Sequence, residues 1–283
     1  MRDQSRAAVL QVPGVTGVDV KMSARVREAV GGEGGKQPLD GVMNVIAVGA
    51  GKGGVGKTTL SVNLAIALAR TGSRVGMIDG DIYGPNVPMM LGIKTQLATD
   101  GQKIIPAEKY GLQVISMGFL TDDESPIIWR GPMLHRALQQ FLADVFWGDL
   151  DVLLMDLPPG TGDVAISIAQ LVPNAEILVV TTPQTAAAEV AERAGSIAVQ
   201  THQRIAGVIE NMSWLELPDG SRQEIFGSGG GQAVADSLST VIGAPVPLLG
   251  QIPLDTTLRV GADEGTPVVL GSPTSPAAVV LRG

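Results

Sequence analysis

The 283-residue sequence contains no cysteine. That zero excludes disulfides, thiol nucleophiles, thiolate-ligated zinc and any iron–sulfur cluster held by this chain's own thiolates alone. Long apolar runs are missing as well, because Gly, Asp or Pro breaks every stretch well short of eighteen residues, and no segment reads as a membrane span. The opening residues, MRDQSRAAVLQVPG, lack the apolar core of a signal peptide, which makes the cytoplasm the default expectation. A basic excess is also absent. Twenty Lys and Arg against 28 Asp and Glu leave a net charge of −8, which disfavours broad non-specific DNA binding but leaves room for a local basic patch. Histidine is scarce too, and the two present, His135 and His202, are isolated in the sequence and read as structural or surface residues.

What is present in quantity is apolar material. A hydrophobic share of 45% against 17% charged supplies a sizeable core and rules out a disordered chain. Thirty-seven Gly and 18 Pro predict many tight turns. Residues 31–40 (GGEGGKQPLD) read as a flexible linker. Ahead of it, residues 1–30 combine a helix end, a turn at Val12-Pro13-Gly14 and an alternating strand, and thirty residues cannot bury a core alone. Residues 41–283 form the main domain.

In that domain short strand-like runs at 42–48, 75–78, 112–117, 152–155, 176–181, 205–209 and 247–252 alternate with helical segments such as 59–70 and 185–200. Most of the runs are continuously aliphatic, the pattern of strands covered on both faces. The prediction is an α/β fold, a doubly wound, mainly parallel sheet of about seven or eight strands flanked by helices, with its ligand at the carboxyl ends of the strands.

The first strand runs into Gly51-Lys52-Gly53-Gly54-Val55-Gly56-Lys57-Thr58, which matches the phosphate-loop pattern G-x-x-x-x-G-K-[ST] and opens a helix at Thr59. The glycines let backbone N–H groups converge on phosphate oxygens, and the helix start adds unpaired donors and the positive end of its dipole. Lys57 is then expected to reach the β- and γ-phosphates, Thr58 to offer its hydroxyl to Mg²⁺, and Thr59 to donate to the α-phosphate unless it is an ordinary first-turn residue. Lys52 precedes the glycines and cannot easily share the contact that Lys57 makes. It is expected to point away from its own site, toward a neighbouring molecule's nucleotide, the plain alternative being a solvated loop lysine.

Three carboxylates complete the expected hydrolytic site. Asp81, in Ile78-Asp79-Gly80-Asp81 at a strand end, is placed to orient or deprotonate the attacking water, with Asp79 supporting the Mg²⁺ shell or a lysine. Asp156 closes the run 152–155 in the position of a Walker-B carboxylate, which holds Mg²⁺ usually through water. The stiff, then flexible segment Leu157-Pro158-Pro159-Gly160-Thr161-Gly162-Asp163 suits a switch loop whose Gly160 N–H senses the γ-phosphate.

The form K-G-G-x-G-K-[ST] resembles the dimeric P-loop ATPases that include MinD, ParA, the nitrogenase iron protein and the Mrp/ApbC proteins. That resemblance implies a nucleotide-sandwich homodimer in which Lys52 crosses to the partner's phosphates, like an arginine finger supplied in trans. It further implies that Asn211 contacts adenine and that the backbone near Pro253 closes over the base. The segments Asp79-Gly80-Asp81-Ile82-Tyr83-Gly84-Pro85-Asn86, Trp129-Arg130-Gly131-Pro132-Met133, 156–163, Glu210-Asn211-Met212-Ser213 and Ile225-Phe226-Gly227 are similar to the Mrp/ApbC branch in particular, over about residues 41–267. The function implied is an ATP-hydrolysing, Mg²⁺-dependent iron–sulfur cluster carrier. By the same resemblance residues 1–30 look like the remnant of a small N-terminal α+β domain, with its first half expected to be missing, and the ending 279–283 is expected to be cut inside a final helix.

One departure qualifies this expectation. The branch usually carries a C-x-x-C pair just after the Asn-Met-Ser segment, and this chain has Leu217 and Gly220 there, neither able to ligate iron. The cluster is then held through the thiols of cysteine-bearing assembly or recipient proteins, or the nucleotide switch serves another end. Two other readings stay open: a MinD- or ParA-like positioning ATPase acting on membrane or DNA cargo, and a nucleotide-binding module that does not hydrolyse. The first calls for a basic amphipathic tail or a basic surface, and the final residues SPTSPAAVVLRG supply neither.

Overall fold

The computed structural model describes residue 39 and residues 41–81, 84–94, 97–120, 131–158, 171–184, 194–196 and 198–283. The N-terminal piece, all of the linker except Leu39, most of the helix expected at 185–200 and residues 159–163 of the expected switch loop, Gly160 among them, therefore lie outside the described residues.

An eight-stranded sheet carries the domain. Its strands are β1 (Val45–Ala50), β2 (Val75–Asp79), β5 (Ala107–Lys109), β6 (Leu112–Ser116), β7 (Val152–Asp156), β8 (Glu176–Thr181), β9 (Ile205–Asn211) and β12 (Leu248–Ile252), in the spatial order β12-β9-β8-β1-β7-β2-β6-β5. Two short antiparallel pairs stand apart from it, β3 (Ala98–Thr99) with β4 (Ile104–Ile105) and β10 (Leu215–Glu216) with β11 (Arg222–Gln223). All neighbours in the large sheet are parallel except β5 and β6. That antiparallel edge strand has no counterpart in the expected runs, since Ala107-Glu108-Lys109 carries little apolar signal. A two-residue turn makes it instead: Tyr110 and Gly111, at φ 53° and 81°, link Lys109 to its partner Leu112, the left-handed pair of torsions that matches strand twist.

β2 and β7 are buried at every position, as expected of strands covered on both faces. Alternate side chains feed different cores. Met77 and Leu154 pack with Leu60 and Ile66 of helix α1 (Lys57–Arg70). Ile78 and Met155 pack instead with Leu138 and Phe141 of helix α3 (Gly131–Ala143), the intervening α2 (Val87–Met90) being a single turn. A third cluster seats Val234 and Leu238 of α4 (Gly230–Ile242) on Val179 and Val208. Helices α5 (Thr256–Asp263), α6 (Val268–Gly271) and α7 (Pro276–Arg282) complete the side occupied by α1, where Val269, Ala278 and Leu281 join the first core. Gly76 is required by this packing, because a Cβ there would lie 2.6 Å from Leu150 Cδ1 and 2.9 Å from Leu153 Cδ1.

The sheet order places the site. From β1 the chain passes through α1 to β2, on the far side of β7, whereas β8 lies on the other flank of β1. The connections thus turn in opposite directions around β1 and β7, and ligands bind at the carboxyl ends of strands where such a switch occurs.

Candidate nucleotide site

The loop between β1 and α1 takes the shape its glycines permit. Gly54 and Gly56 sit at φ 79° and 80°, and Gly56 caps α1 with its carbonyl accepting from Leu60 N at 3.0 Å. Left-handed torsions at these two positions are costly for any residue with a Cβ. The helix begins at Lys57, two residues ahead of the Thr59 start expected from the sequence.

Lys57, Thr58 and Asp156 come together. Lys57 Nζ lies 2.7 Å from Asp156 Oδ1, with the lysine side chain 7% exposed and the carboxylate fully buried. Thr58 Oγ1 donates to Asp156 Oδ2 at 2.6 Å, and Ser61 Oγ donates to Asp156 Oδ1 at 2.7 Å. The carboxylate therefore receives an ammonium and two hydroxyls, which offsets much of the cost of burying its charge. Ser61 is absent from the residues singled out in the sequence. Its signal was helical spacing, since four residues after Lys57 the same face of α1 returns toward the strands.

Asp79 ends the strand beside it. Although it pairs in register with Asp156 across β2 and β7, its oxygens accept from Ser116 Oγ at 2.9 Å, Val87 N at 3.2 Å and Asp81 N at 3.2 Å. Those three donors tie the fully buried side chain to β6 and to the start of α2. Burial first, and the neighbouring Asp156 charge second, push the Asp79 carboxyl up to about 7 against the pull of these bonds. Asp81 is only partly buried, and its Oδ1 accepts from Gly84 N at 3.3 Å.

Lys52 is not simply solvated. Its Nζ donates to Gln184 Oε1, on the loop that follows β8. Asn211, 4% exposed at the end of β9, donates from Nδ2 to Val55 O at 2.8 Å, while its Oδ1 is buried with no hydrogen-bond partner among the described residues. A side chain at Gly56 would run into that same Nδ2, so the loop and Asn211 are fitted to each other. Pro253 is buried between two backbone bonds, Ser213 N to Ile252 O at 2.9 Å and Leu254 N to Trp214 O at 2.7 Å, which bring its segment beside the one that carries Asn211. The structure thus gathers the phosphate loop, Thr58, Asp156, Asn211 and Pro253 at one end of the sheet. Gly160 lies outside the described residues.

Residues 41–282 match the family model of ParA-type proteins described as NUBPL iron-transfer P-loop NTPase. This chain belongs to that family. An iron–sulfur cluster carrier protein from Mycobacterium leprae is 54% identical over 287 residues, covering 97% of this chain and 75% of the relative. One of the same name from Synechocystis is 44% identical over 282 residues, covering 97% and 78%. Among solved structures, the nucleotide-binding protein from Archaeoglobus fulgidus in complex with ADP is 34% identical, with a TM-score of 0.70 over 80% of this chain and 88% of that one. MinD from Pyrococcus horikoshii complexed with Mg-ADP, at 23% identity and a TM-score of 0.59, shares the fold.

Membership in an iron-transfer NTPase family sharpens the question of residues 217 and 220. Both lie in the turn between β10 and β11, closed by Leu217 N to Ser221 O and Gly220 N to Leu217 O, each 2.9 Å. Asp219 Oδ1 accepts from Ser221 N and Oγ at 2.9 and 2.6 Å. The turn offers no thiol, and among the described residues no three His, Asp or Glu side chains are grouped to hold a metal ion.

Proposed function

We propose that this NTPase binds and hydrolyses ATP with Mg²⁺, works as a homodimer with nucleotide at the interface, and serves iron–sulfur cluster delivery in which the cluster, as cargo, is ligated by cysteine-bearing partner proteins. One observation carries the proposal: consecutive residues at the start of α1, Lys57 and Thr58, both engage the fully buried Asp156 beneath a glycine loop. An ammonium, a hydroxyl and a carboxylate at a helix start are the groups that polyphosphate and a hard divalent cation require.

Thr58 and Asp156 supply oxygen donors 2.6 Å apart, a set that fits Mg²⁺ retaining most of its water. The ion's chemistry is to neutralise charge developing on the β- and γ-phosphate oxygens. In the proposed reaction Lys57 leaves Asp156 for those oxygens, and Thr58 and Asp156 are the residues that would hold the ion, Asp156 through water. Backbone N–H groups of Gly51, Gly53, Gly54, Val55 and Gly56 cradle the phosphates, and Thr59 donates at the α-phosphate. Asp81, partly exposed at the strand end, orients the attacking water or takes its proton, and Gly160 N–H faces the γ-phosphate. Asn211 offers its unpartnered Oδ1 to the adenine amino group, with the Pro253 backbone over the base. Lys52 is assigned to the partner protomer's phosphates.

The absence of cysteine puts the cluster's ligands on other proteins. ATP turnover of the wild-type chain and of Lys57→Ala tests the enzymatic half: a clear rate in the first and its loss in the second is expected, and equal, negligible rates would remove the hydrolase reading.

A further inference from the structure

The lysine assigned above to the opposite protomer is held by its own chain. Lys52 Nζ donates to Gln184 Oε1 across 132 residues of sequence. The meeting follows from the sheet, since β8 is the parallel neighbour of β1, with Ala50 opposite Val180, and both loops leave the same ends of adjacent strands. Gln184 also stands on a set floor. Pro183 restricts the backbone just before it, and the Thr182 and Pro183 carbonyls rest on Gly230 at the first turn of α4, where a Cβ would stand 2.6 and 2.5 Å from their oxygens. The next residue of that helix, Gly231, is anchored by its N–H to Glu210 Oε2 at 2.6 Å, and Glu210 Oε1 accepts from Gln251 Nε2 at 2.7 Å. Backbone packed directly on backbone leaves Thr182 and Pro183, just ahead of Gln184, little room to shift.

The acceptor's chemistry matters as much as its position. A neutral amide oxygen at an exposed site holds an ammonium weakly enough for a polyphosphate to take it away, whereas a carboxylate adds charge attraction and a methyl group offers nothing. We propose that Gln184 is the positioning residue for Lys52: it parks the ammonium while the protomer is alone and releases it to the partner's nucleotide, so that pairing of protomers works against this bond. This rests on the reading of Lys52 as a group acting in trans.

Sedimentation velocity with Mg²⁺ and a slowly hydrolysed ATP analogue tests it on wild type, Gln184→Ala, Gln184→Glu, Lys52→Ala and the Lys52→Ala/Gln184→Ala pair. Removing the acceptor is expected to tighten dimerisation by about three- to ten-fold, the combined share of the two weak exposed hydrogen bonds that two protomers give up, and Gln184→Glu to weaken it by a similar factor. Nucleotide affinity at protein dilutions that prevent pairing, and the melting temperature, should stay at wild-type values in both. In the Lys52→Ala background Gln184→Ala should change nothing. If Lys52→Ala pairs poorly while both Gln184 variants match wild type, the parking role is wrong and the trans role stands. If Lys52→Ala pairs and turns over like wild type, the trans reading itself falls. A Gln184→Ala effect of equal size without Lys52, a loosened Gln184→Ala dimer, or altered nucleotide affinity of the lone protomer would each overturn the proposal by giving Gln184 a role of its own.

Discussion

Cutting the buried ion pair from one side should unbalance the nucleotide-free protein. Lys57 is 7% exposed and Asp156 fully buried, with 2.7 Å between Nζ and Oδ1. Removing one partner of a buried pair typically costs about 3–5 kcal/mol, because the remaining charge stays out of water without compensation. Here Thr58 and Ser61 still donate to Asp156 after Lys57→Ala, at 2.6 and 2.7 Å in the intact protein, which places the loss near the lower end, about 3 kcal/mol. For a domain of this size that corresponds to a melting temperature lower by roughly 6–12 °C. Urea unfolding at pH 7 with a chelator and no nucleotide measures it. The companion Asp156→Asn should return at least about 2 kcal/mol to the Lys57→Ala protein, since the neutral amide no longer needs a counter-charge. A Lys57→Ala protein within about 1 kcal/mol of wild type, or a double variant no more stable than the single one, would refute the view that this pair is electrostatically coupled in the resting site.

The remaining expectations concern other groups of the site. Without metal or nucleotide, Asp79 binds its proton up to about pH 7 in the folded chain but only to about 3.8 when unfolded. The folded form therefore holds more protons in that window, and stability should fall as pH rises through it, by as much as about 4 kcal/mol from this group; Asp79→Asn should flatten the slope, and a wild-type curve that rises across the window with no difference in the variant would contradict this. Gly56→Ala sets a Cβ against Asn211 Nδ2 at φ 80° and should cost about 1–2 kcal/mol in backbone strain alone while abolishing nucleotide binding by calorimetry; unchanged affinity would count against the fitted loop. Asn211→Ala leaves the buried Val55 carbonyl without its side-chain donor and is expected to destabilise by about 1–3 kcal/mol, read by denaturant midpoint. Anaerobic reconstitution with iron and sulfide should load no stoichiometric cluster on this chain alone, and Leu217→Cys/Gly220→Cys should gain iron, tempered by strain at Gly220, which sits at φ 81°; stable brown wild-type protein would overturn the thiol argument.

Contiguous residues announced most of this molecule. The phosphate loop was legible because anion binding there depends on local backbone torsions and a helix start, both written within eight successive residues. The buried strands were legible because a strand covered on both faces has to be apolar throughout, as β2 and β7 are. The edge strand β5 escaped notice because its polar residues carry no such demand, and a left-handed turn at Tyr110-Gly111 creates it. How Asp79 and Asp156 are partnered was beyond local reading. Asp79 and Asp156 end adjacent strands in register, yet one faces Ser116 and the α2 backbone while the other faces Lys57, Thr58 and Ser61.

Chain-local chemistry thus carried the family, the glycine loop at a helix start and the lack of any thiol for a cluster. Packing decided the rest: the sequence separations of 98 from Thr58 to Asp156, 132 from Lys52 to Gln184 and 156 from Val55 to Asn211 are closed only by the sheet order. A side chain's partner depends on direction as well as residue type, and direction is set by which strands lie side by side and which face each turn presents.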